Sequence, residues 1–171
     1  NEKKEAYLPE DFFNLRFTDG KGMSEEYLTN VCLNFTYDSP EEVNLYEFFY
    51  EGIGSEIDDE DRAFLEKQGA GMDLDIVKLT GEDMDRMLKK YFDITTKDTN
   101  QIGLDKFYYN EEKDNYYLVH SDSHYQYVNL LEQQKNQEGE VEIIYTLRDT
   151  PDGEERSGKR MAVLKYVEDR Y

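Results

Sequence analysis

Two histidines and an aspartate stand at alternate positions in the segment His120-Ser-Asp122-Ser-His124. In an extended strand, residues two apart point to the same side, so the three side chains could converge on one ion. Imidazole nitrogens and a carboxylate oxygen are typical ligands of Zn²⁺, and an open coordination position would admit the water needed for hydrolysis. The intervening serines favour a turn, which would separate the side chains. The segment therefore predicts either a metal-dependent hydrolase or a polar loop.

Three groups of carboxylates could supply the oxygen ligands that Ca²⁺ prefers. None of them has the full spacing of a calcium-binding loop. The first group has an alternative role at the start of a helix, where carboxylates are favourable, and the last resembles an ordinary turn. We therefore expect no cofactor, with zinc or calcium as the alternatives. The three groups are Asp58 to Asp61, Asp73 to Asp75, and Asp149 to Glu155.

Other common catalytic signatures are absent from the sequence. It contains no glycine-rich phosphate loop, no nucleophile elbow and no paired-histidine zinc motif on a helix. Cys32 is the only cysteine, so no disulfide can form within the chain. It lies in the apolar run Val31 to Leu33, which predicts a buried and inert thiol. We therefore do not expect an enzyme.

Tyrosines occur as doublets in the second half of the chain, at residues 108–109 and 116–117. In a strand, a doublet places one ring on each face of the sheet. One face would pack beneath helices, and the other would present rings to a partner. The alternative is that the rings form cross-strand pairs that only stabilise the sheet. The predicted ligand-contacting residues are Tyr109, Tyr117, His120, Tyr125 and Tyr127.

The charge balance excludes several classes of partner. The chain carries 40 acidic and 20 basic residues among 171, a net charge of −20. Such a surface repels nucleic acids and anionic lipid headgroups, and leaves cations and basic partners open. No apolar stretch approaches the roughly 20 residues of a membrane span, so we expect no membrane insertion. The 15 tyrosines and 9 phenylalanines supply the apolar bulk of a folded core.

Helices are predicted mainly in the first half of the chain. Ser39, Pro40 and Glu42 have the pattern of a helix start, and the following residues Val43 to Tyr50 are apolar on most sides. Asp58 to Gln68 predicts a short acidic helix with Ala63, Phe64 and Leu65 facing inward. A third helix is predicted after Thr80 as N-cap, because its apolar residues follow a 3.6-residue period. These are Met84, Met87, Leu88, Tyr91 and Phe92.

Two early strands are predicted at Phe12 to Thr18 and Val31 to Tyr37, and about five more follow Leu104. The short connections between the later strands favour an antiparallel meander, with the helices packed on one face. The fold class is therefore α+β. We expect a single domain over residues 1–171, a tether at 1–11 and a weak boundary near 69–72. The later strands are predicted at residues 106–110, 116–120, 125–131, 140–147 and 159–167.

Three stretches resemble extracytoplasmic domains from surface proteins and lipoproteins of Gram-positive anaerobic bacteria: Ser39 to Gly52, Leu79 to Thr95 and Gly103 to Tyr125. The similarity spans about Asp38 to Tyr145. It implies a secreted or surface-tethered location but no activity, and His124 has no counterpart in it. The first hypothesis is a non-catalytic binding or accessory module for a protein, peptide or cell-wall component. The alternatives are the hydrolase using His120, Asp122 and His124, and a structural spacer.

Overall fold

A computed structural model describes residues 8–9, 11–14, 27–50, 53–71, 75–120 and 126–165. These residues divide into two compact units. The first contains residues 27–28, 35–50, 53–71 and 75–120, and the second contains residues 8–9, 11–14, 29–34 and 126–165. The loop near residue 70, where a boundary was predicted, lies inside the first unit.

The described elements begin with short helices interspersed with two strands and end with five consecutive strands. Three turns of 3₁₀ helix also occur, at Pro40–Glu42, Thr96–Asp98 and Leu104–Lys106. In chain order the elements are α1 (Leu28–Val31), α2 (Leu45–Phe49), β1 (Ser55–Glu56), α3 (Asp59–Lys67), β2 (Asp75–Thr80), α4 (Gly81–Phe92), β3 (Tyr108–Asn110), β4 (Asn115–His120), β5 (Tyr127–Lys135), β6 (Val141–Arg148) and β7 (Arg160–Leu164).

Helix α4 confirms the prediction made from its apolar stripe. The side chain of Thr80 accepts a hydrogen bond from the Asp83 N–H, and the Asp83 carboxylate accepts one from the Thr80 N–H. This reciprocal capping satisfies two backbone donors that the helix itself leaves unpaired. Met84 and Leu88 on the inner side are fully buried. The helix ends at Asp93, whose left-handed backbone stops further helical hydrogen bonding.

Helix α2 begins later than the sequence pattern predicts. Ser39 makes no side-chain capping bond, and the residues after it form only a 3₁₀ turn. The helix starts instead at Asn44, whose side chain accepts the Glu47 N–H at 3.1 Å. Its apolar character is nevertheless that of a core element, because Leu45 and Phe48 are fully buried.

Helix α3 confirms a short acidic helix within the predicted range, although its inner face differs. Asp58 and Asp61 form a capping box at its start. Leu65 is buried and Phe64 half-buried, but Ala63 is exposed. The buried position on the first turn belongs to Asp61, which was not among the predicted inward-facing residues.

The first unit contains an antiparallel sheet in the order β1-β2-β4-β3. Strand β2 was not predicted, and it lies at the centre beside β4. Leu79 and Leu118 point to one face of this sheet, Ile76 and Tyr117 to the other, and all four are buried. Both faces of the two central strands are therefore covered. An exposed aromatic side chain, Tyr109, lies on the edge strand β3.

The second unit contains a three-stranded antiparallel meander in the order β5-β6-β7. Strand β5 carries a bulge between Leu130 and Glu132. One face of the meander packs into a core with residues from the earlier part of the chain. The buried members of this core are Leu8, Phe13, Leu33, Val128, Val141, Ile143, Tyr145 and Leu147.

The two early strand predictions are wrong where the structure describes their residues. Phe12 to Asn14 form a turn, and residues 15–18 lie outside the described residues. Val31 ends helix α1, and the following backbone turns because the Leu33 N–H donates to the Asn30 carbonyl. The Asn34 amide also donates to that carbonyl at 2.8 Å. Side-chain bonds of this kind compete with strand pairing.

The fold is α+β with antiparallel sheets, as predicted. The later strands, however, belong to two sheets instead of one five-stranded meander. The hairpin β3-β4 pairs with β2, which comes from the first half of the chain, while β5, β6 and β7 pair with one another.

Candidate binding face

Among the described residues of the first unit, the exposed aromatic surface is a stacked pair of tyrosines on the β3-β4 hairpin. Tyr109 and Tyr116 face each other across the two strands. Their ring centroids are 4.4 Å apart and their planes differ by 29°. Tyr109 is 44% exposed, whereas Tyr116 is half-buried. We call Tyr109, Tyr116 and the carboxylate of Asp114 the Tyr109 platform.

Asp114 fixes the orientation of the Tyr109 ring. The Tyr109 hydroxyl donates to Oδ1 of Asp114 at 2.7 Å. Asp114 has a left-handed backbone with φ of 52°, which closes the hairpin turn. Its carbonyl accepts the N–H of Gly81, the first residue of α4, at 2.9 Å. The Asp114 carboxylate also lies beside Gly81, at a helix N-terminus, where negative charge is favoured.

Gly81 leaves the space that the Asp114 side chain occupies. A Cβ atom on residue 81 would collide with Oδ2 of Asp114. The exposed ring is thus held by stacking on one side and by an anchored carboxylate at its hydroxyl. The helix start, the turn and the platform form one connected arrangement.

The platform tyrosines remain neutral at physiological pH. The hydrogen bond to Asp114 raises the pKa of Tyr109 to about 12. Burial raises the pKa of Tyr116, and the negative charge of Asp114 adds to this effect. Both rings therefore keep their phenolic protons and offer an uncharged, electron-rich face.

A row of aromatic rings supports the platform from below. Phe107 meets Tyr116 edge-on with centroids 6.0 Å apart, and Tyr46 meets Phe107 in the same manner at 5.9 Å. Tyr46 also contacts Tyr50 at the end of α2. Edge-to-face pairs of this kind add roughly 0.5–1.5 kcal/mol each beyond the area they bury. The platform is therefore the exposed end of a packed aromatic row.

Tyr117 does not belong to an exposed face, which corrects one predicted contact residue. The alternation of strand β4 turns it to the side opposite Tyr116, where it is fully buried. Its hydroxyl donates to Oδ1 of Asp61 at 2.6 Å. The other carboxylate oxygen of Asp61 pairs with Nζ of Lys78 at 2.9 Å. These three side chains connect α3 to β4 and β2.

The hydrogen bonds within this cluster of Asp61, Tyr117 and Lys78 favour the charged form of Asp61. Burial alone would raise the pKa of Asp61, but hydrogen bonds from Tyr117, the Asp58 N–H and Lys78 outweigh it and lower the pKa to about 2. Burial and the bond to Asp61 raise the pKa of Tyr117 to about 12. With Asp61 only 2% exposed and Tyr117 fully buried, these two side chains are not accessible to a substrate and instead connect elements of the fold.

Of the remaining predicted residues, only His120 and Tyr127 lie within the described part of the chain. Asp122, His124 and Tyr125 lie outside the described residues, so their grouping with His120 stays a prediction. The backbone of His120 ends β4 opposite Asp75. Tyr127 is half-buried and begins β5 in the second unit, whereas Tyr109 belongs to the first.

Several of the carboxylates proposed as calcium ligands have other partners. Asp58 caps α3, and Asp149 pairs with Arg156 at 2.6 Å. Within the described ranges, no group of three or more histidine, cysteine, aspartate or glutamate side chains is placed to hold a metal ion. The zinc and calcium alternatives therefore stay predictions. Cys32 is half-buried, and burial raises the pKa of its thiol above the usual value.

Sequence reasoning missed the residues that orient the exposed ring. Asp114 is the last residue of a charged turn, and aspartate tolerates the left-handed backbone found there. That preference could have predicted the turn, but it gives no indication of the contact with Tyr109. Tyr116 was recognised as half of a doublet, and the strand register alone decides that it pairs with Tyr109.

Comparisons of the chain with protein-family profiles, curated proteins and solved structures found no match. The resemblance to extracytoplasmic bacterial domains therefore stays a prediction. In the part of the chain that the structure describes, no helix is long and apolar enough to span a membrane.

Proposed function

We propose that this protein is a non-catalytic binding module that contacts a protein, a peptide or a cell-wall component through the Tyr109 platform. The observation that carries the proposal is a tyrosine ring that is 44% exposed and yet fixed by stacking and by a 2.7 Å hydrogen bond. The proposed location is outside the cytoplasm, secreted or tethered to a bacterial surface. That location rests on the resemblance of residues 39–52, 79–95 and 103–125.

A fixed, exposed tyrosine favours binding over a purely stabilising role. Ordering a flexible side chain at an interface costs roughly 0.5–1.5 kcal/mol, and a ring that is already held avoids most of that loss. Stacking on Tyr116 stabilises the hairpin through only one face of the Tyr109 ring. The exposed part of the ring is left for a partner, and tyrosine is among the residues most enriched at interfaces.

The proposal is tested by selection from a phage-displayed library of random peptides, together with binding to purified bacterial peptidoglycan. Affinities of the selected ligands are then measured for the wild type and for Tyr109→Ala. We expect the substitution to weaken binding at least roughly tenfold, or about 1.4 kcal/mol, because it removes the central aromatic contact.

The matched control is Met161→Ala, which removes the most exposed large apolar side chain among the described residues of the second unit. Far-UV circular dichroism establishes that both variants are folded. Ligands that lose affinity with Tyr109→Ala and keep it with Met161→Ala support the proposal. Absence of any selected ligand, or equal binding by wild type and Tyr109→Ala, contradicts it.

A further inference from the structure

We propose that the occupant of the Tyr109 platform is a basic peptide segment, whose arginine or lysine side chain lies over the exposed face of the Tyr109 ring. This inference rests on the proposed function and specifies the partner by its chemistry. It is carried by the ring geometry, the position of the Asp114 carboxylate and the charge of the surrounding turn.

The ring geometry leaves one aromatic face for a cation. Tyr116 covers one side of Tyr109, and no other ring among the described residues stacks on it. A cation is attracted to the face of a neutral aromatic ring when it lies within about 6 Å of the centroid. Two rings among the described residues already contact lysines in this way. Lys106 lies 5.0 Å from the Tyr46 centroid and Lys90 lies 5.3 Å from that of Tyr91.

The charge beside the ring is negative. Asp114 is exposed and lies next to the Tyr109 hydroxyl. Glu111 and Glu112 stand in the same turn and are also exposed. The lysine of this turn, Lys113, pairs with Glu60 at 2.6 Å. A cation on the Tyr109 platform would therefore meet a carboxylate at the edge of the ring as well as the ring itself.

A guanidinium group fits this arrangement better than an ammonium group. It is planar, so it stacks on a ring while its N–H groups point outward to a carboxylate. Its charge is also less strongly hydrated, which lowers the cost of contact with the ring. The net charge of −20 adds a long-range attraction that speeds the encounter with a basic segment. We therefore expect arginine-containing peptides to bind more tightly than their lysine counterparts.

The experiment uses a flexible glycine-serine peptide that carries a short run of arginines. Matched peptides replace every arginine with citrulline, which keeps the shape and removes the charge, or with glutamate. Binding is measured by calorimetry and by NMR titration of the labelled protein, in which the Tyr109 ring signals report the site. We expect the arginine peptide to bind and to shift those signals, and the other two peptides to do neither.

Variants of the protein separate the site from general electrostatics. Tyr109→Leu keeps an apolar side chain but removes the aromatic face, and Asp114→Asn removes the adjacent charge. We expect each of these two substitutions to weaken binding of the arginine peptide roughly two- to fivefold, which is the size of one exposed cation–ring contact. The control is Asp152→Asn, which removes an exposed carboxylate from a turn of the second unit and should leave the affinity unchanged.

The outcomes distinguish this inference from the proposed function. Equal affinities of the wild type and Tyr109→Leu for the arginine peptide would overturn the inference, because attraction would then come from overall charge. Tyr109-dependent binding of neutral or acidic library peptides, without a preference for arginine, would overturn the inference and leave the binding module intact. If no peptide or cell-wall ligand depends on Tyr109, both proposals are wrong.

Discussion

Asp61 shows how one buried carboxylate can organise three elements of the first unit. It closes the capping box of α3, accepts the Tyr117 hydroxyl from β4 and pairs with Lys78 from β2. A buried ion pair often adds little net stability, because removing both charges from water is costly. Removal of one partner is different, since it leaves the other polar group buried with fewer hydrogen bonds.

The substitution Tyr117→Phe should therefore destabilise the protein with little change in packing. It deletes the 2.6 Å bond to Asp61 and keeps the ring that packs against Phe64. Because a hydrogen bond to a charged group contributes roughly 1.5–3 kcal/mol, we expect the free energy of unfolding to fall by about that amount near neutral pH. Urea denaturation followed by circular dichroism measures the change.

This loss should depend on pH in a defined direction. The pKa of Asp61 is depressed to about 2 in the folded protein from an ordinary value of 3.8. Its stabilising contribution is therefore present above pH 3.8 and is lost as the pH falls through about 2. The difference between the wild type and Tyr117→Phe should shrink over that interval. A difference that stays constant, or a similar loss in the control Tyr108→Phe, would show that the Asp61 bond is not its source.

At the scale of elements, the start of α4 and the β3-β4 hairpin are joined through Gly81 and Asp114. The Gly81 N–H donates to the Asp114 carbonyl, and its missing side chain leaves room for the Asp114 carboxylate. A helix start thus determines the orientation of a ring on a neighbouring hairpin.

The substitution Gly81→Ala should release the Tyr109 ring. The new Cβ atom would occupy the place of Oδ2 of Asp114, so this short side chain has to turn away from Tyr109. The pKa of Tyr109, raised to about 12 by that carboxylate, should then fall towards the ordinary value of 10. NMR titration of the Tyr109 ring signals measures this shift.

The control for this substitution is Gly158→Ala, since a Cβ atom there meets nothing within 4 Å. It should leave the Tyr109 pKa unchanged. A Tyr109 pKa that stays near 12 in Gly81→Ala would mean that Asp114 keeps its position, and that the helix start does not control the platform.

Local signals predicted some elements of this chain correctly, and tertiary contacts decided the others. The apolar period of α4 and its Thr80 cap are contained in adjacent residues, so the sequence predicts them. The segment Val31 to Tyr37 has the composition of a strand, but the Asn34 amide bonds to the Asn30 carbonyl and the chain turns. Strand β2 is recognised only through its partner β4, which lies about forty residues later.

The candidate site was predictable only in part for the same reason. The doublets indicated that one ring of each pair lies on each face, and the structure confirms this for Tyr116 and Tyr117. Which ring is exposed depends on what covers each face. Tyr117 is buried in a cluster with Leu65, Ala70 and Ile76, and its hydroxyl is bonded to Asp61, 56 residues away in the chain.

At the scale of the whole molecule, the net charge of −20 should affect folding and binding in opposite directions. Repulsion among the carboxylates opposes the compact state, and a basic ligand is attracted by the same charges. Added salt shortens the range of both effects, from roughly 10 Å at 0.1 M to about 3 Å at 1 M.

We therefore expect sodium chloride to raise the melting temperature while it weakens binding of the arginine peptide. A gain of about 1 kcal/mol would raise the midpoint by roughly 2–4 °C for a chain of this size. Thermal denaturation and calorimetric titration over one salt series measure both effects, and the Tyr109→Leu variant shows which part of the binding is local.

Because the ring contact is short-ranged, the ratio of wild-type to Tyr109→Leu affinity should stay nearly constant as salt increases. A ratio that falls to one at high salt would mean that the Tyr109 platform contributes only through the general acidity of the molecule.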